Sequence, residues 1–228
     1  MKRSIEFNLE STLAKQCYEQ LQAEIIQGVL KPGEKLKVEP IKQRFSIGQA
    51  PVREALYKLS AFGLVDVQDN KGFRVTEISE QDIRDTYEVF TNIEVTALLW
   101  AIKRGDEDWE ANIVAELHKL SLLELSEKNV PTSLWAQKNY DFHVALISGC
   151  KSPTLMEIRR HLYMKFDRYC QIAYQLSKQT NHNNHDEHKS LAQAVLQRDI
   201  RQVKQLMTEH INEPLEMVIQ EFKNHNFF

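Results

Sequence analysis

Three histidines in the second half of the chain fall at positions where helices would turn them toward apolar faces. His143 follows Asn139 by four residues, so the two side chains share one helical face, and His188 and His210 stand at helical intervals from aliphatic residues. Imidazole nitrogens and an amide oxygen can bind a divalent transition metal. From spacing alone, the favoured interpretation is that each is a hydrogen-bonded core or boundary histidine.

A second set of residues has the chemistry to bind DNA. Gln49 and Arg53 lie four residues apart at the start of a predicted helix, where arginine can hold guanine or phosphate and glutamine can read adenine. The alternative is that Arg53 only pairs with Glu54 or Glu39 on a solvated face. Further candidate contacts to phosphates and the minor groove are Lys37, Lys42, Arg44, Lys71 and Gly72.

The elements around these residues predict a winged helix-turn-helix. Apolar residues recur at helical spacing from a cap at Ser11 to Ile26. Gly63 is placed to end the helix that carries Arg53. The period then becomes alternating, as in a β-hairpin. The predicted segments are helices at 11–26, 38–45 and 49–62 and a hairpin over 64–75.

These segments resemble the DNA-binding domain of the GntR superfamily. The resemblance is carried by YEQLQAEIIQGVLKPGEKL (18–36), PVREALYKLSAFGLV (51–65) and NKGFRV (70–75). It implies that Arg53 and the wing tip at Lys71 and Gly72 contact DNA. Many relatives have Ser-Arg where this chain has Gly48-Gln49, so the resemblance also implies an altered operator preference.

The remaining residues predict an all-helical antiparallel bundle, so the fold class is mainly α. Ser79 is expected to cap the first of its helices. Pro214 is expected to kink the last, because its ring disfavours the bond to the carbonyl of His210. The six predicted helices span 79–104, 107–127, 132–148, 152–178, 186–197 and 199–222.

The bundle is similar to the FCD effector domain of the FadR subfamily. The resemblance rests on Asn139 with His143, on EHKSLAQAV (187–195) and on His210. It implies a metal held by Asn139, His143, His188 and His210, with zinc expected first and nickel or manganese as alternatives. Relatives often have Asp at the position of Asn139. The neutral amide of Asn139 is expected to weaken metal binding or to change which metal binds.

Two further segments resemble the branch that regulates dicarboxylate and carbon-starvation catabolism: GDEDWEANIVAELHKL (105–120) and CKSPTL with DRY (150–169). The resemblance implies a small organic acid effector. Many relatives place an arginine where this chain has Phe90, so Arg159 and Arg168 are the candidate effector contacts. The alternative is that both are surface arginines.

Composition sets the remaining limits. The formal net charge of −3 divides into +3 over residues 1–75 (12 Lys and Arg against 9 Asp and Glu) and −6 over the rest (17 against 23). Three cysteines without a CxxC pair argue against disulfides and a cysteine zinc site. A membrane span and a signal peptide are not expected, so the predicted location is cytoplasmic.

The sequence therefore predicts a metabolite-responsive transcription regulator with a DNA-binding domain at 8–76 and an effector domain at 79–224. A homodimer would bind a double-stranded, pseudo-palindromic operator and release it when the organic acid binds. The first alternative is a metal-dependent hydrolase, although HExxH and GxSxG motifs are missing. The second is a nucleoid-type DNA-binding protein without an effector.

Overall fold

The structure is a computed structural model that describes residues 2–68, 72–126, 130–177 and 184–228, with side chains from residue 13 onward. Two compact units divide the chain. The first comprises Met1–Ile83, His161–Leu176 and Ile219–Phe228, and the second comprises Arg84–Arg160 and Ser177–Val218.

Helices dominate the described residues, with one small sheet. The strands are β1 (Lys35–Leu36), β2 (Val65–Gln68) and β3 (Gly72–Val75). The helices are α1 (Lys2–Ile26), α2 (Val38–Phe45), α3 (Gln49–Ala61), α4 (Glu80–Arg104), α5 (Glu107–Glu124), α6 (Thr132–Ser148), α7 (Pro153–Ser177), α8 (His185–Leu196), α9 (Ile200–Asn212) and α10 (Leu215–Asn224).

The first unit contains the predicted winged helix-turn-helix. Helices α1, α2 and α3 pack around a shared apolar core that includes Leu21, Ile25, Leu56 and Leu59. Gly63 follows α3 with a φ of +68° and donates to the carbonyl of Ser60, which confirms its predicted role at the helix end. One face of α3 is thereby buried in the core, while Gln49 and Arg53 are exposed on the opposite face.

Two predictions about this unit were incomplete. Helix α1 runs through Ser11 and begins at Lys2, so the predicted cap at Ser11 is wrong. The hairpin is confirmed, but a third strand, β1, pairs antiparallel with β3 and gives the order β1-β3-β2. Two residues of β1 are too few to show an alternating pattern, which is why the sequence did not predict it.

The second unit is built mainly from helices, as predicted. The expected single helix over 199–222 is two helices, because Pro214 ends α9 and α10 begins at Leu215. Proline has no N–H to donate, and here it breaks the helix rather than bending it. Among the described residues, none of the helices combines the length and the apolar character that a bilayer crossing requires.

Candidate functional site

The outer face of α3 carries the predicted DNA-reading residues. Gln49 begins the helix, and Arg53 lies one turn later; both side chains are exposed. The opposite face is fixed in the core by Val52, Ala55, Leu56 and Leu59. The first turn of α3 therefore presents an amide and a guanidinium to solvent, as a recognition helix requires.

Arg53 is oriented by aromatic residues. Its Nη2 donates to the Tyr57 hydroxyl at 3.2 Å, and its guanidinium lies 5.4 Å from the centre of the Phe73 ring on β3. Glu54 pairs with Lys58, with 2.7 Å between Glu54 Oε1 and Lys58 Nζ. Glu39 pairs with Lys42, so the alternative in which Arg53 pairs with Glu54 or Glu39 is wrong. The charge of Arg53 is available to a polyanion.

The other candidate DNA contacts differ in their surroundings. Lys37 is exposed. Arg44 is exposed but donates to Glu24 at 2.9 Å, which partly neutralises its charge. Gly72 is exposed at the start of β3, whereas Lys71 lies outside the described residues.

The second unit brings the three predicted histidines together. His143 on α6, His188 on α8 and His210 on α9 each offer a ring nitrogen, and these atoms lie within 4.8 Å of one another. The Nε2 atoms of His143 and His210 are 3.2 Å apart. Two imidazoles on one metal at about 2.0–2.1 Å per bond have nitrogens about 3.0–3.4 Å apart, so this pair has the right spacing.

Two carboxylates fix the orientation of these rings. His188 Nδ1 lies 2.8 Å from Glu124 Oε1, and His210 Nδ1 lies 2.8 Å from Glu187 Oε2. A carboxylate only accepts, so each Nδ1 donates to it, and in the neutral form of the ring Nε2 is the nitrogen left to bind a metal. Neither carboxylate was predicted from the sequence. Glu187 could have been found, because it is adjacent to His188 and its partner His210 lies on the next helix. Glu124 could not, because it lies 64 residues from its partner His188.

The protonation of the cluster suits metal binding. Burial, followed by the charges of the neighbouring imidazoles, holds the pKa of His143 well below its usual value of 6.5. Burial also lowers the pKa of His188, although its bond to Glu124 acts in the opposite direction. Both imidazoles are therefore neutral at pH 7, which is the form that binds a metal.

Asn139 lies on α6 one turn before His143. Its Oδ1 is buried and has no hydrogen-bond partner among the described residues. The same holds for Nε2 of His188. Buried acceptors of this kind are costly unless a donor or a cation satisfies them. The donor set at this site thus fits a divalent cation.

The two candidate effector arginines lie in different units. Arg159 belongs to the second unit with the histidines, where its Nε donates to Glu94 Oε1 at 2.5 Å. Arg168 belongs to the first unit, and its Nη2 donates to the carbonyl of Thr76 at 2.7 Å. Both are buried, so the surface-arginine alternative is wrong for each. The structure brings only Arg159 into the same unit as the three-histidine cluster.

Comparison with known proteins agrees with the two-domain fold. Residues 13–75 match the family described as bacterial regulatory proteins, gntR family, and residues 85–213 match the FCD domain. The chain resembles the solved structure of E. coli McbR/YncC with a TM-score of 0.74 over 92% of this chain and 98% of that one. At 20% identity this likeness shows a shared fold.

Two relatives are more similar in sequence. The HTH-type transcriptional repressor GlaR of Escherichia coli (strain K12) is 36% identical over 209 residues, 89% of this chain and 94% of the relative. The uncharacterized HTH-type transcriptional regulator BphR of Paraburkholderia xenovorans (strain LB400) is 35% identical over 212 residues, 92% and 86% of the two chains. The chain therefore belongs to the gntR family of bacterial regulators, in the FadR-like subfamily with an FCD domain, and is a DNA-binding transcriptional regulator rather than an enzyme.

Proposed function

We propose that the chain is a cytoplasmic repressor that leaves its operator when a small carboxylate binds beside a metal in the FCD domain. The observation that carries this proposal is the convergence of three histidine nitrogens within 4.8 Å. In this assignment residues 8–76 bind DNA and residues 79–224 bind metal and effector.

The metal ligands are Asn139, His143, His188 and His210, and zinc is the expected ion, with nickel or manganese as alternatives. When bound, the ion supplies a positive centre for one carboxylate group of the effector. Glu124 and Glu187 orient two of the imidazoles through their Nδ1 protons. Arg159 contributes positive charge within the same unit.

At the operator, Gln49 and Arg53 read bases, Lys37 and Arg44 contact phosphates, and the wing tip at Lys71 and Gly72 enters the minor groove. The exposed charge of Arg53 supports this assignment. Arg168 stays a candidate effector contact in this proposal: its Nη2 donates to the Thr76 carbonyl, while its buried Nε has no hydrogen-bond partner among the described residues.

The active form is a homodimer on a pseudo-palindromic operator. A stripe of apolar side chains on α4 supports self-association, because Val89, Ile93 and Trp100 recur at helical spacing and Val89 is 43% exposed. Sedimentation of the full chain measures this directly, and a monomer at micromolar concentration would contradict it.

The function is tested with operator DNA selected from a random library. Fluorescence anisotropy then measures its affinity for metal-loaded and chelator-treated protein, each titrated with mono-, di- and tricarboxylates. We expect at least one acid to weaken DNA binding by about 5–150-fold, and only with metal present. An operator affinity unchanged by every acid would overturn the proposal.

Two variants separate ligation from ring orientation. His188→Ala is expected to abolish metal binding, whereas Glu124→Gln should weaken it about 10–100-fold by removing the oriented acceptor. His225→Ala is the matched control, because His225 is exposed just beyond α10 and its ring contacts Glu221 on that helix. Elemental analysis after gel filtration gives the metal content, and full stoichiometry in His188→Ala would refute the ligand set.

A further inference from the structure

A buried carboxylate lies in the unit that holds the histidine cluster. Glu94 is 1% exposed in the middle of α4, and Arg159 on α7 is 2% exposed. Oε1 of Glu94 accepts from Nε of Arg159 at 2.5 Å. The pair is thus enclosed, and a buried ion pair is favourable only if its remaining polar atoms are satisfied.

One oxygen of this carboxylate is not satisfied. Glu94 Oε2 is buried and has no hydrogen-bond partner among the described residues. Burial raises the pKa of Glu94, and the nearby Arg159 charge opposes that effect. A hydrogen-bond donor placed at Oε2 would relieve the cost of this buried charge.

The carboxylate is close to the proposed effector site. The charge of His210 acts on the pKa of Glu94, and the charge of Arg159 acts on that of His143. The Arg159 guanidinium also lies 5.5 Å from the centre of the Tyr140 ring, which stands between Asn139 and His143 on α6. Glu94 and Arg159 therefore border the histidine cluster.

Resting on the proposed function, we infer that the effector is a hydroxy acid whose hydroxyl group donates to Glu94 Oε2. Arg159 is already bonded to Glu94, so the pair is a preformed acceptor held in one orientation. The carboxylate of the effector faces the metal-binding histidines, and its hydroxyl faces Glu94.

The charges of the site favour a hydroxyl over an ammonium group as this donor. A bound divalent metal and the Arg159 guanidinium both repel a further positive charge in a buried environment. A hydroxyl donates without adding charge. An acid without any donor would leave Oε2 unpaired, and sites built around such a bond discriminate strongly against ligands that lack it.

The test compares acids that differ by one hydroxyl group. Succinate with malate, and propionate with lactate, are titrated into the metal-loaded full-length protein by calorimetry, with aspartate and alanine as amino counterparts. We expect at least one hydroxy acid to bind ten-fold or more tightly than both the unsubstituted acid and the amino acid of its set. Equal affinities within each set, or tighter binding of the unsubstituted acids or of the amino acids, would overturn the inference while leaving the proposed function intact.

A variant identifies the acceptor. Glu94→Gln should reduce the preference for the hydroxy acid at least five-fold, because its bond to Arg159 and the acceptor at Oε2 are both altered. Glu88→Gln is the matched control on the same helix, since Glu88 is exposed. Thermal unfolding and metal content establish whether the variant is folded. If it is not, the comparison of acids on the wild-type protein decides the inference.

The outcomes are distinct. If no acid binds and none releases DNA, both the proposed function and this inference fail. If hydroxy acids bind preferentially but Glu94→Gln keeps the full preference, another group accepts the hydroxyl and the assignment to Glu94 is wrong.

Discussion

Arg53 combines an exposed charge with a fixed direction. Tyr57 and Phe73 hold its guanidinium at the surface of α3, so little side-chain freedom is lost when it meets a base. Arg53→Ala should weaken specific operator binding by about 1–3 kcal/mol. Lys58→Ala is the control on the same helix, because Lys58 lies in its last turn and pairs with Glu54. Anisotropy titrations check both, and equal effects would contradict a reading role for Arg53.

Asp167 on α7 is a second residue with a measurable property. Burial raises its pKa from 3.8 to about 6, against the bond from Gln171 Nε2. The folded form binds this proton more tightly than the unfolded form, so stability is gained as pH falls through about 6 and lost as pH rises. Asp167→Asn should stabilise the protein at pH 8 by about 1–3 kcal/mol and have little effect near pH 4.

Urea unfolding at the two pH values measures this difference. Asp85→Asn removes an exposed carboxylate from another helix and serves as the control. A stabilisation by Asp167→Asn that is the same at pH 4 and pH 8 would show that the carboxylate is not the cause.

At the site itself, sequence could place residues on helical faces but could not bring faces together. The spacing of Asn139 and His143 follows from helical geometry, and the histidine convergence was implied only by family resemblance. Glu94 and Glu124 were missed because their partners lie 65 and 64 residues away. Contacts of this kind depend on tertiary packing, which periodicity does not encode.

At the scale of elements, long periodic helices and the hairpin were predicted correctly, since burial of one face imposes the pattern. The third strand and the break at Pro214 were not. The contact between the end of α1 and α7 was also beyond prediction. Gly28 follows α1 with a φ of +69°, and a Cβ there would lie 2.9 Å from Ile172 Cγ1.

Gly28→Ala tests how tightly these two helices pack. Gly63 has nearly the same φ, +68°, but a Cβ there would meet nothing within 4 Å. Both alanine variants should lose about 1–2 kcal/mol from the left-handed backbone, and Gly28→Ala should lose more because Ile172 must move. Urea unfolding compares the two, and equal losses would mean that Ile172 shifts without cost.

At the scale of the whole molecule, the proposed function requires that DNA binding and effector binding are linked in both directions. If the acid weakens operator binding by a given factor, saturating operator weakens acid binding by the same factor. Calorimetric titration of the acid into free and operator-bound protein should therefore give a ratio equal to that from anisotropy. An acid affinity unchanged by operator would mean that the acid does not act through the protein's own equilibrium.

The course of α7 matters for anyone who exchanges parts between members of this family. Its residues from His161 onward belong to the unit that contains the helix-turn-helix, where Met164 joins the same apolar core as Leu21. A protein fragment that ends after the hairpin would lack the part of α7 that completes this core. We expect such a fragment to aggregate when it is expressed. A chimera that keeps 161–176 and 219–228 from the parent of its DNA-binding head should remain folded, so the seam between parents belongs inside a helix rather than in the loop after the wing.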